Sequence, residues 1–363
     1  LLRGLALLAA LALPAGLHAE SASSAALAAV PGANTLQQWH ADKAAGGPTF
    51  AGNPAWQAHL QFIEESLAER GVLRLERTPV PYRRWFASDA VDAADRALTI
   101  GDESIPVAAY WAYSGATDAS GVTAPLHLYA KGDGRDELAG KIVVFEVGDV
   151  PPAMFEMFRI EREYANYEPE DPARSLASSQ WYQGNYVVRF GRFDLRLSDS
   201  GAAGAVVIFD MPAARARGLD TFPLLRTGTI GVPGLYVDRE AGARVRAAVI
   251  GGQSATLRLQ AREEEAEPYF LHGILPGARF GQPDDELVLL VTHSDGPNLT
   301  QENGTLAIVA MIEALAVVPQ SQRRRSVLVL IDPQHYMPGR HQVDWHALHP
   351  ALDARIVASI GVE

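Results

Sequence analysis

Leu287-Val288-Leu289-Leu290-Val291-Thr292-His293-Ser294-Asp295-Gly296, followed by Gln301-Glu302-Asn303-Gly304 and an apolar run from Leu306 to Leu315, decides how this chain is read. The unbroken apolar stretch Leu287 to Val291 predicts a buried strand, and the periodic run after Asn303 predicts a helix. The strand stops on His-x-Asp, and a carboxylate stands at the mouth of the helix. An α/β protein presents metal ligands this way, because ligands collect beyond the carboxyl ends of its strands.

Downstream the pattern continues as a strand over 326–331, a segment over 344–352 and a strand over 355–362. Apolar strands alternating with helices predict a mostly parallel sheet covered on both faces. On its carboxyl edge His293 follows the first strand, His335 lies shortly beyond the second, Glu363 ends the third and Glu302 precedes the helix. Each alone has an ordinary reading: a hydrogen-bonded loop histidine, a first-turn acid favoured by the helix dipole, a chain-end charge. Together they are a donor set suited to zinc or a similar divalent ion. His341, His346 and His349 read as helix-surface residues rather than a second metal site.

At 363 residues the chain exceeds one ordinary core, which predicts two packed units after a leader. Its 48% hydrophobic and 20% charged content is that of a globular protein. A formal charge of -12 with a pI near 5.3 argues against nucleic acid as a partner, since phosphate binding needs clustered Lys and Arg. Arg323-Arg324-Arg325, the compact basic run, reads as a solvated loop. Residues 1–19 read as an export signal and 20–33 as a linker, so the expected location is secreted or periplasmic. The apolar run is short for a bilayer, so membrane contact is expected only if the leader stays uncleaved. With no Cys, disulfides, thiolate catalysis and Cys-zinc sites are excluded. The absence of an initiator Met and the stop at Glu363, directly after an apolar run, read as a chain truncated at its C-terminus.

Nearer the start, Asn53 and Pro54 mark a helix N-terminus, Trp56, Leu60, Ile63 and Leu67 form its apolar stripe, and Gly71 follows its end. Strands are predicted over 72–80 and 97–107, the second folded at Gly101-Asp102. From Gly121 short β segments follow, including Ile142 to Phe145, Gly201 to Phe209 and Ile230 to Val237, then a helix over 238–248 and a strand over 255–259. Leu138-Ala139-Gly140-Lys141-Ile142-Val143, with the two segments after it, resembles the protease-associated (PA) domain over 121–261. That resemblance implies a non-catalytic lid or binding module, with a protein as its partner, inserted between 34–120 and 262–363. Within it, Met154 to Leu195 is either a packed excursion or a lid whose Trp181, Tyr182 and Tyr186 face a cleft.

His293-Ser294-Asp295 and Glu302-Asn303-Gly304 resemble motifs of the zinc-dependent exopeptidase family that includes bacterial leucyl aminopeptidase and glutamate carboxypeptidase. The resemblance implies an α/β three-layer sandwich with a mostly parallel sheet, one or two zinc ions, and a peptide or small amide substrate. It makes His293 the first ligand and Asp295 the carboxylate behind it, with Glu302 where the family has a bridging Asp. Pro333-Gln334-His335 falls on the family's paired glutamates, and Glu363 on its next Asp ligand. The exchanges at 302, 335 and 363 replace one ligand type by another, so His293, Glu302, His335 and Glu363 remain a coordination set. Gln334 stands where the general base belongs and cannot take a proton near neutral pH; Asp332 is the nearest carboxylate. Two readings stay open: a hydrolase using metal-activated water, or a catalytically impaired homologue that binds peptides or a partner protein.

Overall fold

The computed structural model describes residues 17–87, 94–146, 197, 199–209, 212–216, 231–296, 303–337 and 343–362. The expectations for the leader up to residue 16, the 154–195 insertion, Glu302, His341 and Glu363 lie outside the described residues.

In chain order the main elements begin with α1 Leu17–Ala28, α2 Ala33–Ala45, α3 Pro54–Glu69, β1 Leu73–Pro79, β2 Tyr82–Phe86, β3 Arg96–Ile100, β4 Glu103–Ile105, β5 Ala109–Tyr110 and β6 Val122–Leu128. They continue through β7 Ile142–Glu146, β8 Gly204–Ile208, β9 Gly234–Val237, α4 Arg239–Ile250, β10 Ser254–Leu259, β11 Arg262–Ala266 and β12 Tyr269–Leu275. Last come β13 Leu287–His293, α5 Gly304–Ala316, β14 Ser326–Asp332, α6 Trp345–Leu348, α7 Pro350–Asp353 and β15 Ile356–Gly361. The chain divides into two compact units, one formed up to Tyr82 and again from Ala266, the other by Arg83–Glu265.

The first unit is built on a five-stranded sheet of order β1-β12-β14-β13-β15. It is mixed rather than mostly parallel: β13 runs parallel to β14 and β15, while β12 is antiparallel to both β14 and β1. The strand that changes the expected topology is β12. No helical crossover separates it from β13, so the chain returns in the opposite direction. One face of the sheet packs on α3 and α5, with Trp56, Leu60, Ile63 and Leu67 meeting Leu306, Val309 and Ile312 over Leu290 and Val329. The opposite face gathers Phe270, Leu289, Leu328 and Leu330 under Tyr82, Met337 and Trp345.

Local chemistry fixes α3 as the sequence predicts. The Asn53 side chain accepts from the Trp56 amide at 2.7 Å, Pro54 opens the first turn, and Gly71 turns away at φ 81°. The segment expected as a linker instead forms α1 and packs against α5. Its alanines, with Leu17, Glu20 and Leu27, are good helix formers and outweigh its serines once a partner surface is available. Arg323 is not solvated: its guanidinium donates to the carbonyls of Pro276, Leu315 and Val318, satisfying the open end of α5.

The second unit carries an eight-stranded sheet of order β4-β3-β10-β6-β7-β8-β9-β5, with β6 to β9 parallel. The β3–β4 hairpin turns at Gly101, φ 58°, as expected. This unit begins well before Gly121, because β3 is laddered to β10 and β5 to β9. Its core holds Trp111, Phe145, Phe209 and Tyr236, the last two stacked at 4.7 Å.

Candidate active site at the carboxyl edge of the first sheet

The parallel pairing of β13 with β14 places His293 opposite Asp332. Beyond them the two strand-end loops are tied together. Ser294 donates its amide to the Asp332 carbonyl at 2.8 Å, and its hydroxyl receives the Trp56 indole N–H at 3.0 Å. Thr49 and Gly296 exchange backbone hydrogen bonds at 3.0 Å in both directions. A helix, a strand end and an N-terminal loop therefore fix where the chain goes after His293.

Asp295 is 1% exposed and accepts two amides from the loop after β14: His335 N–H on Oδ1 at 2.9 Å and Tyr336 N–H on Oδ2 at 2.6 Å. An ionised carboxylate is acceptor-only and suits a pair of backbone donors. Asp295 thereby holds the backbone that carries His335. The imidazoles of His293 and His335 lie nearly parallel, ring centroids 4.3 Å apart at 29°, and Tyr336 flanks His335 at 4.3 Å.

Gln334 is 1% exposed, and both ends of its amide are used. Nε2 donates to the Val343 carbonyl at 2.9 Å, and Oε1 accepts the Val343 N–H at 3.0 Å. Its own backbone N–H goes to Asp332 Oδ1 at 2.8 Å. The side chain that occupies the base position works as a clamp between two loops, and the carboxylate next in line as a turn acceptor.

At the mouth of α5, Thr305 Oγ1 and His59 Nε2 are 2.9 Å apart. Burial, with the Lys43 ammonium beside it, pushes the His59 imidazole down to about 3. Burial first and then Lys43 also hold His40 below its ordinary value, against a hydrogen bond to Asn303 that favours its proton. α5 reaches the sheet because residue 304 is glycine: a Cβ there would overlap Thr292 Oγ1 and the Val362 carbonyl.

No protein-family model matches the sequence, and no curated protein matches it. Among solved structures the chain is similar to the peptidase M28 precursor of Shewanella amazonensis SB2B, with a TM-score of 0.62 and 14% identity over 94% of this chain and 72% of that one. This chain has an M28 peptidase fold. It also aligns with a zinc aminopeptidase of Bacillus subtilis, with a TM-score of 0.48 and 15% identity over 82% of this chain and 60% of that one. For an aminopeptidase of Aneurinibacillus sp. strain AM-1 the TM-score is 0.45, at 15% identity and the same coverage. The chain spans about 60% of the length of those two enzymes.

On this M28 fold the structure brings together His293, Asp295, Gln334 and His335 of the sequence-predicted residues. Glu302 and Glu363 lie outside the described residues, and among the described residues no three metal-type side chains converge. His349 is not a surface residue: it stacks on Trp345 at 4.7 Å and meets Thr78 Oγ1 at 2.9 Å. Sequence reasoning missed the clamp between Gln334 and Val343 and the contacts of Trp56 and His59 with the site. Trp56 is visible in the sequence only as part of an apolar stripe, and nothing local marks the partner of its N–H.

Proposed function

We propose that this chain is a metal-dependent peptidase-type hydrolase, or the greater part of one, whose site is the carboxyl edge of β13 and β14. The observation that carries the reading is the side-by-side placement of His293 and His335 at adjacent parallel strand ends, with Asp295 bracing the second loop. Fold similarity to an M28 peptidase supports it. Two imidazoles with carboxylates from Glu302 and Glu363 fit zinc, one ion or two. When bound, zinc supplies Lewis acidity to a scissile carbonyl and lowers the pKa of a water.

The chain's own residues supply the rest. His293 and His335 present ring nitrogens, Asp295 fixes their loops, and Gln334 maintains the separation between the His335 turn and Val343. The substrate class is a peptide or small amide. We further read the peptidase unit as a three-layer sandwich and the second unit as a PA-like insertion that serves as a binding module for a protein. The leader is read as an export signal to the periplasm or medium.

The test is metal analysis of the purified protein together with release of N-terminal residues from short peptides. Stoichiometric zinc and hydrolysis, both lost in His293→Ala, are expected. Absence of zinc, or hydrolysis undiminished in His293→Ala, would overturn the reading. One observation favours a second reading, a peptide-binding module without catalysis: the amide of Gln334 is consumed by the Val343 backbone and offers no proton acceptor. Zinc retained and peptides bound without turnover would decide for it.

A further inference from the structure

On the face of the sheet opposite α3 and α5, His272 of β12 is 2% exposed and meets edge-on the ring of Trp345, the first residue of α6, with centroids 5.2 Å apart. The Trp345 indole N–H donates to His272 Nδ1 at 3.3 Å. An indole nitrogen is a donor only, so His272 must be neutral with its proton on Nε2. That nitrogen faces Glu76 Oε2 of β1 at 3.7 Å. The His349 ring, between α6 and α7, lies 4.7 Å from His272 and stacks on Trp345. From β14 the residue paired with His272 is the uncharged Leu330. Among the described residues, Glu76 and His349 are therefore the titratable groups that face His272, and His346 is engaged elsewhere with Asp353 at 2.7 Å.

We propose that His272 and Trp345 form an acid-released latch that seats the segment Val343–Asp353 on the sheet and, through Val343, holds the Gln334 clamp beside His335. Protonation of Nδ1 would turn two donors toward each other in a buried contact, beside a second imidazole and with the indole N–H left without its acceptor. Burial, then His349, already hold His272 down to about 4, with Glu76 opposing them. The neutral form is thus part of the docked state. The segment is short, and Leu348 is exposed, so Trp345 is its one large buried side chain. The latch does not depend on what the adjacent site does, because its readout is docking rather than turnover.

The experiment is amide hydrogen exchange over Val343–Asp353 in the full chain, corrected for intrinsic rates, from pH 6.5 to 4, with the Trp345 indole resonance assigned by its loss in Trp345→Phe. Protection of this segment is expected to fall about tenfold or more as the Trp345 indole signal shifts together with protonation of His272. His272→Gln, which keeps an acceptor and does not titrate, is expected to flatten the dependence. Unchanged protection over that range, an Nδ1-protonated His272 at neutral pH, or the same pH dependence in His272→Gln would overturn the latch. If that variant does not fold, the wild-type titration of ring and indole signals decides alone.

Discussion

Asp295 makes its contribution with both oxygens, and that fixes what substitution should do. In Asp295→Asn one acceptor becomes an NH₂ group facing a backbone N–H, either His335 or Tyr336. Losing a charge-assisted bond and leaving a buried donor unsatisfied costs about 2–3 kcal/mol. Urea denaturation should show that loss even without metal. Gln334→Glu is the intuitive way to restore a base, and its geometry predicts failure. A carboxylate there would face the Val343 carbonyl with no N–H to offer, at a cost of about 1–3 kcal/mol. We expect lower stability and no gain in peptide hydrolysis; a gain in turnover would show that residue 334 can leave its clamp.

Among the elements, β13, α5 and β14 follow the sequence closely, since apolar runs, turn residues and caps are local signals. β12 does not announce itself. Its run Tyr269–Leu275 is broken in the middle by His272 and Gly273, yet it lies between β1 and β14. Glycine is needed at 273 because Val72 and Leu75 crowd the position of a Cβ. The same logic gives the sharpest element-scale prediction. Gly304→Ala would drive a methyl into Thr292 Oγ1 and the Val362 carbonyl, forcing α5 away from β13. Overpacking of this kind costs about 1–3 kcal/mol. Chemical denaturation measures it, and a stability equal to wild type would contradict the close approach described for the helix start.

For the whole molecule, pH acts through histidines kept neutral by burial. His59 is held at about 3 and His272 at about 4, against an ordinary value of 6.5. Below 6.5 the unfolded chain takes up protons that the folded chain does not, so the stability these groups contribute is complete above 6.5. It is lost as pH falls toward 4 and 3, where the dependence levels off. The slope reaches about 1.4 kcal/mol per pH unit for each histidine. Urea midpoints should decline with acidification, and His59→Gln should shed about half of that slope. An identical slope in the variant would remove His59 from the account. The strand-helix-strand order, the capped α3, and His293, Asp295 and His335 as residues of one sheet edge were determined by the sequence itself, because period, caps and strand ends are written over a few neighbouring residues. The mixed sheet, the turning of the Asp295 carboxylate onto the amides of residues 335 and 336, and the capture of Gln334 by Val343 were decided only by tertiary structure. Each depends on which distant backbone groups are left to be satisfied once the chain has packed, and no local pattern encodes that.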